Sequence, residues 1–407
     1  MRRLSKQKNL SATDRVSDLL LFLLYLAVAA AILFRVGIES TGYLSPDSRA
    51  YLGLAQSLLD GPGFYTLSEH DNNWRYFTIW PVGYPVLIFI LAKASGLTVF
   101  WASKVLNLIL LGCGFLLLRQ TYRPYSFILA SVYGAYTFLE VYSFSWSEAP
   151  FLLGVLMLAY LTDQVLRKPH SMRLVIYIFF CCLFLFLTRY VGAFSFSIPA
   201  LLSLHFLYKR QPRVGIVFGT ATTLLVIFAA SYLYINYKFS GYITGINRLA
   251  EETENTTIFL LMLLQGLTNE LFIIRKFRSA SQPDFLFYLT TAIQLTVLLY
   301  IYNSIKKVGD LRYIFNSFSL ICFVIAALYF TTILTLRQIS HFDDLDYRLL
   351  SPASFLVIIA LINILVTLPE QHITIVWAKY MVFAFFILSL LLNLPKEYIL
   401  SHFKQML

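Results

Sequence analysis

Apolar blocks about twenty residues long recur along this chain, and each is the length at which an α-helix rising about 1.5 Å per residue crosses a hydrocarbon layer about 30 Å thick. Of the 407 residues, 58% are apolar and 13% are charged, whereas a soluble domain carries about 25% charged residues. That shortage excludes disorder, a coiled coil and an ordinary cytosolic enzyme. The expected fold is all-α: a polytopic transmembrane helix bundle of about eleven spans, with interfacial helices in the first long extracytoplasmic loop.

The 32 Lys and Arg against 21 Asp and Glu leave a net charge of +11. The basic residues stand in short clusters between apolar blocks, which is how a polytopic protein marks its cytoplasmic loops. Nucleic acid is therefore not an expected partner, and membrane lipid is. Cys113, Cys181, Cys182 and Cys322 all fall inside apolar blocks and read as small buried hydrophobes. No CxxC or HExxH pattern suggests a metal site.

Arg2, Arg3, Lys6, Lys8 and Arg15 precede the first block, Asp18 to Ile38, which is longer than the apolar core of a signal peptide and reads as a retained first span. Residues 1–17 then form a cytoplasmic N-terminus. Further spans read at Phe100–Leu118, Tyr125–Tyr142, Ala149–Leu166, Leu174–Leu187, Val191–Tyr208 and Val214–Asn236. Four more follow at Phe285–Ser304, Tyr313–Leu336, Leu349–Leu368 and Ile373–Leu392. Alternation across the membrane places Arg119 with Arg123, Arg167 with Lys168 and Arg173, Lys209 with Arg210 and Arg213, and Lys306 with Lys307 and Arg312 on the cytoplasmic side.

Counting Pro81–Leu97 as a span would invert every later basic loop, so this stretch reads as a re-entrant or interfacial helix on the outer face. The same parity demotes Ile258–Ile274, against the contrary hint of Arg275, Lys276 and Arg278 just after it. The organisation is thus a transmembrane module over 18–236 with a catalytic first outer loop at 39–99, an outer loop with an interfacial helix at 237–284, and C-terminal transmembrane helices at 285–407. The two long connections both lie outside, where function is expected.

Ionisable residues near membrane depth are costly and default to function. Arg35, Glu39, Asp47, Arg49, Lys93, Lys104, Glu140, Glu148, Arg189, Arg337, Asp343, Asp344, Asp346 and Arg348 all map to the outer ends of spans or to outer loops. After the first span, Ser45 or Asp47 can cap a short amphipathic helix that carries Tyr51, Leu54, Ala55 and Leu58 on one face and stops before Gly61. Asp47 could be no more than that cap. Its company argues for more: Trp74-Arg75-Tyr76 and Trp80-Pro81-Val82-Gly83-Tyr84-Pro85 form an aromatic wall in the same loop. A carboxylate beside aromatic platforms at a membrane surface suits a sugar and a lipid head group.

In order along the chain stand Pro46-Asp47, Trp80-Pro81-Val82-Gly83-Tyr84, Ser147-Glu148, Thr188-Arg189-Tyr190 and Arg348-Leu349-Leu350-Ser351-Pro352. Together they resemble the GT-C integral-membrane glycosyltransferases, whose members include protein O-mannosyltransferases and lipid A aminoarabinose transferases. The resemblance runs over most of the chain, and the order and sidedness of its short motifs carry it. It implies an inverting transfer of a hexosyl or pentosyl group from a polyprenyl-phosphate-linked sugar donor to a glycan, lipid or protein acceptor. The implied place is the outer face of a bacterial inner membrane.

Asp47 matches the family's acidic residue after span one, a general base or acceptor ligand. Glu148 matches the second acidic position; it can order the first loop, bind acceptor, ligate an ion, or simply favour a helix start. Cations should surround the leaving phosphate, with Arg189 foremost, then Arg348 and Arg337, although Arg337 and Lys104 could equally snorkel to the interface. Tyr51, Arg75, Trp80, Tyr84 and Tyr190 are the expected substrate-binding side chains.

No cofactor is implied beyond a possible divalent cation, and Ser48 after Asp47 departs from the paired acids many members carry there. His341, Asp343, Asp344 and Asp346 fit no defined ion site and read as a solvated acidic loop. Asn255-Thr256-Thr257 reads as a chance sequon. Two other classes compete with transfer: a transporter or flippase of lipid-linked saccharides, and a polymerase or ligase of such glycans using the 237–284 loop. A non-catalytic scaffold is the fourth reading. A flippase would place substrate groups near the midplane, often with internal repeats; here the charges keep to one face.

Overall fold

The computed structural model describes residues 12–67, 73–245, 255–271, 273, 285–306, 316–340 and 345–394. His341, Asp343, Asp344, the basic residues before 12 and those at 275–278 lie outside the described residues, as do 246–254, 272 and 274–284 of the outer loop. The chain opens with α1 (Ala12–Ile38), α2 (Pro46–Asp60), a two-stranded hairpin of β1 (Tyr65–Leu67) and β2 (Trp74–Tyr76), α3 (Gly83–Ser95) and α4 (Val99–Thr121). Next come the short α5 (Ser126–Ala130) and α6 (Tyr136–Ser143), then α7 (Glu148–Arg167), α8 (Met172–Thr188), α9 (Ser197–Tyr208) and α10 (Pro212–Ser240). The remainder comprises α11 (Thr256–Leu271), α12 (Phe285–Lys306), α13 (Ser317–Ile339), α14 (Tyr347–Thr367) and α15 (Ile373–Leu392).

The protein is an all-α, integral membrane helix bundle. Among the described residues, eight helical runs are long and apolar enough to cross a membrane: α1, α4, α7, α10, α13, α14, α15 and the continuous run Tyr190–Tyr208 that ends in α9. Their outward faces are apolar too. Leu19, Phe22, Leu23 and Leu26 on α1, and Leu224, Val226 and Ile227 on α10, are exposed, a surface that water would not tolerate over such an area. α7 and α14 form the buried centre, and α10 lies at the rim. The expected short apolar helices at Pro81–Leu97 and Ile258–Ile274 are α3, of 13 residues, and α11, of 16.

Charges gather in two layers. α1 and α4 run antiparallel: Asp18 near the start of α1 pairs with Arg119 at the end of α4 and with Arg123, each at 2.6 Å. At the other end, Arg35 of α1 pairs with Glu140 of α6, and Lys104 of α4 donates to the Ser143 carbonyl at 2.7 Å. α7 spans both layers, from Glu148 at its first residue to the Asp163–Arg167 pair at 2.8 Å. Fifteen residues of helix separate Glu148 from Asp163 by about 22 Å.

The stretch expected as one span at Tyr125–Tyr142 departs from a single helix. It runs from the Asp18 layer, where Ser126 Oγ meets Ser17 Oγ at 3.2 Å, to the Arg35 layer, but in pieces. Two 3-10 turns, Arg123–Tyr125 and Ser131–Gly134, interrupt it, and Ala135 is extended with ψ 150°. A Cβ on Gly134 would lie 2.8 Å from the Phe386 carbonyl, so α15 packs directly against the break. Broken backbone at membrane depth is tolerated where protein surrounds it, and nearly every residue from Ser126 to Ser143 is buried.

α8 ends at Arg189, an extended residue with φ −149° and ψ 136°, before the 3-10 turn Tyr190–Phe196. Gly192 N–H donates to the Arg189 carbonyl at 2.7 Å, and a Cβ there would lie 2.1 Å from the Leu185 carbonyl. We expect Gly192→Ala to cost about 1–3 kcal/mol of stability by forcing that turn apart. Gly53→Ala, at an exposed helix position with nothing within 4 Å, should leave the melting temperature in detergent unchanged or raised. Equal melting temperatures for the two variants would refute the packing account.

Candidate active site

α2 starts because Ser45, with φ −104° and ψ 173°, accepts the Ser48 N–H at 3.2 Å and Pro46 occupies the first turn. It stops at Gly61, whose φ of +107° returns its N–H to the Ser57 carbonyl at 3.1 Å. Tyr51, Leu52, Leu54 and Ala55 face inward. Ser45 is therefore the cap, and Asp47 sits in the first turn with its side chain engaged elsewhere. That engagement is with Arg348, the second residue of α14, whose Nη2 donates to Asp47 Oδ2 at 2.6 Å.

Arg348 is shared. Its Nε donates to Glu148 Oε1 at 3.1 Å, with Nη2 also 3.0 Å from that oxygen. Arg189 Nη1 stands 2.8 Å from the same oxygen, close enough for an ion pair but without the alignment of a hydrogen bond. Glu148 Oε2 is buried and accepts no hydrogen bond among the described residues. The Glu148 side chain is 0% exposed and that of Arg189 12%, whereas Asp47 and Arg348 retain 21% and 20%. Glu148 and Arg189 thus form the floor of the site, and Asp47 and Arg348 its open edge.

Aromatic rings shape the surroundings. The Arg348 guanidinium lies 4.3 Å from the Trp146 ring centroid, and that of Arg189 5.8 Å from Phe151. Tyr51 shares a 2.8 Å hydrogen bond with Ser147 Oγ and packs edge-on to Tyr84 at 5.4 Å, with Trp80 6.4 Å away. Burial, followed by the nearby Glu148 carboxylate, pushes the Tyr51 phenol well above its usual range, so it remains a neutral hydroxyl. Tyr84 donates to Asn107 Oδ1 at 3.1 Å. Its phenol is likewise raised, chiefly by burial.

Five of the residues singled out in the sequence meet here: Asp47, Glu148, Arg189, Arg348 and Tyr51, with Tyr84 and Trp80 behind Tyr51. Tyr190 serves another junction, donating to the Thr78 carbonyl at 2.9 Å and accepting from Asn236 at 3.0 Å. Arg75 is exposed on β2. Arg337 is buried with its Nη2 3.8 Å from Met262 Sδ of α11. Trp146, Ser45 and Ser147 also belong to the site, and the signal for Trp146 was its place directly before Ser147-Glu148. Asp346, from the acidic cluster, caps α14 by accepting the Arg348 N–H at 2.9 Å. Asn255 of the sequon likewise caps α11, its Oδ1 accepting the Thr257 N–H at 2.8 Å.

Among the described residues the donor set for a divalent cation does not assemble: no three His, Cys, Asp or Glu side chains converge. Between Asp47 and Glu148 the position a cation would take is filled by the Arg348 guanidinium.

No protein-family model and no curated protein matches the sequence. Solved structures do match the fold. ArnT from Cupriavidus metallidurans bound to undecaprenyl phosphate aligns with a TM-score of 0.52 at 11% identity, over 94% of this chain and 78% of that one. ArnT in the apo state aligns at 0.50 and 11% identity, over 91% and 76%. The Archaeoglobus fulgidus oligosaccharyltransferase in the apo form aligns at 0.48 and 11% identity, over 92% and 55%. The chain folds as ArnT does over most of its length.

Proposed function

We propose that this protein is a glycosyltransferase that moves one sugar, with inversion, from a polyprenyl-phosphate donor to a hydroxyl of a glycan, lipid or protein acceptor. The reaction takes place on the extracytoplasmic face of a bacterial inner membrane. One observation carries the reading: Asp47, at the edge of the site, is 2.6 Å from an arginine that also holds the buried Glu148, and Arg189 completes the group. The shared fold supports it, since the ArnT structure that aligns over most of the chain is bound to undecaprenyl phosphate.

The chemistry follows from this placement. The donor phosphate competes with Asp47 for Arg348, and Arg189 adds a second positive group at the floor. Asp47, relieved of part of that ion pair, accepts the proton of the acceptor hydroxyl as its oxygen attacks the anomeric carbon. The new C–O bond forms on the face opposite the breaking one, which gives inversion. Polyprenyl phosphate leaves with one more negative charge, and the guanidinium groups meet it. Glu148 touches neither reacting atom in this scheme; it holds both arginines in place. Trp80, half-buried beside the inward-facing Tyr51, packs against the sugar.

Asp47→Asn should lower transfer at least about 100-fold while insertion and melting stay as in the native protein. Near-native transfer by that variant in a lipid-linked sugar assay would remove the base from the scheme. Arg189→Lys keeps the charge but loses the planar fork, and its donor KM should rise about tenfold with the acceptor KM unchanged. A donor KM that does not move would make Arg189 a structural counter-ion to Glu148 and nothing more.

A further inference from the structure

A second cluster of buried charge lies at the Asp47 end of the bundle, and the reaction above makes no use of it. Arg35 is ion-paired to Glu140, and both are buried. Arg35 also donates from Nε and Nη2 to the Tyr43 hydroxyl, at 3.0 and 2.8 Å. Tyr43 is held at its other polar atoms as well: its N–H donates to Glu39 Oε2 at 2.9 Å, and its carbonyl accepts from Lys104 Nζ at 3.3 Å. Its φ of +56° is a backbone state that a residue with a large side chain rarely adopts. The surrounding bonds hold Tyr43 where local preference would not.

From Tyr43 a column of planar groups leads to the site. The Tyr43 ring meets Phe144 edge-on at 4.9 Å, and Phe144 lies parallel on Trp146 at 3.9 Å and 3°. Arg348 covers Trp146 at 4.3 Å. The same indole donates from Nε1 to Ser45 Oγ at 2.7 Å, the oxygen that caps the helix carrying Asp47. One ring therefore fixes both the platform of Arg348 and the start of α2. Stacked planar groups have few alternative placements at such distances, so a shift at Tyr43 passes to Arg348 and Asp47 together.

We propose that Tyr43 is a positioning residue: the buried Arg35–Glu140 pair acts through the Tyr43–Phe144–Trp146 column to set the place of Arg348 and of the first turn of α2. For its consequence on the donor, this rests on the transfer reading above; the positioning itself does not.

The test uses the full-length protein in detergent. Amide hydrogen exchange needs no substrate. In Tyr43→Leu, exchange should rise at least tenfold at residues 49–55 of α2 and 350–354 of α14, with α10 unchanged. Tyr43→Phe, which keeps the ring, should rise less. Undecaprenyl phosphate is then the probe for binding: Tyr43→Leu should weaken it tenfold or more in the native background and no further in the Arg348→Ala background, because the two act through one group. Unchanged exchange in both segments overturns the proposal, as does a binding loss that adds fully to that of Arg348→Ala. Loosening of α10 by both Tyr43→Leu and Phe144→Leu would show general damage to the bundle and also overturn it. Native protein with no affinity for undecaprenyl phosphate would defeat the donor reading alone, and the exchange result would still decide the positioning.

Discussion

An ionised carboxylate sealed in an apolar bundle is tolerable only with cations against it, and Glu148 is the carboxylate on which this structure turns. It begins one of the two central helices, is wholly shielded from solvent, and lies within ion-pair distance of two arginines from two other parts of the chain. Removing one partner of such a buried group costs about 3–5 kcal/mol, so the pairing dictates where the end of α8 and the start of α14 must stand relative to α7. Asp47 enters this arrangement last, through the arginine already committed to Glu148. The more exposed pair, Asp47 and Arg348, is thereby mounted on a rigid base without being frozen by it.

Local chemistry at the element ends serves the same arrangement. Ser45 caps α2 and receives the indole of Trp146; Asp346 caps α14 two residues before the arginine it presents; Arg189 is the extended residue at which α8 stops. Each is a place where backbone groups would otherwise lack partners, so the residues that end the helices also orient the side chains between them. At the opposite layer, Asp18 with Arg119 and Arg123 fastens α1 to α4 in the same way, some two-thirds of a bilayer away.

Much of this was readable from residues alone, and the exceptions have physical causes. The long apolar helices, the short helix after the first of them and its glycine stop follow from block length and local capping, which depend on neighbours in sequence. The grouping of Asp47, Glu148, Arg189 and Arg348 was legible only through the order of short motifs. The break at Gly134 was not legible, because residues buried on all sides are apolar whether the backbone is helical or not, and the contact that shapes it comes from Phe386 far along the chain. Arg337 and Arg348 looked alike as arginines at the outer ends of late spans. They differ in which way their helices face, which only packing decides. Trp146 and Tyr43 were overlooked as partners because a stacked column joins residues of no periodic spacing.

The sharing of one guanidinium between two carboxylates, beside a second guanidinium, makes the resting group electrically neutral: two negative charges against two positive. In the scheme proposed for it, Asp47 becomes neutral as the departing phosphate becomes doubly anionic. The total charge of these side chains and the bound lipid is then the same before and after the sugar moves, and only its position shifts, from a side chain to the product. A site whose floor is sealed among buried helices has little water to absorb a new ion, so a reaction that redistributes charge without creating any is one such a site can host.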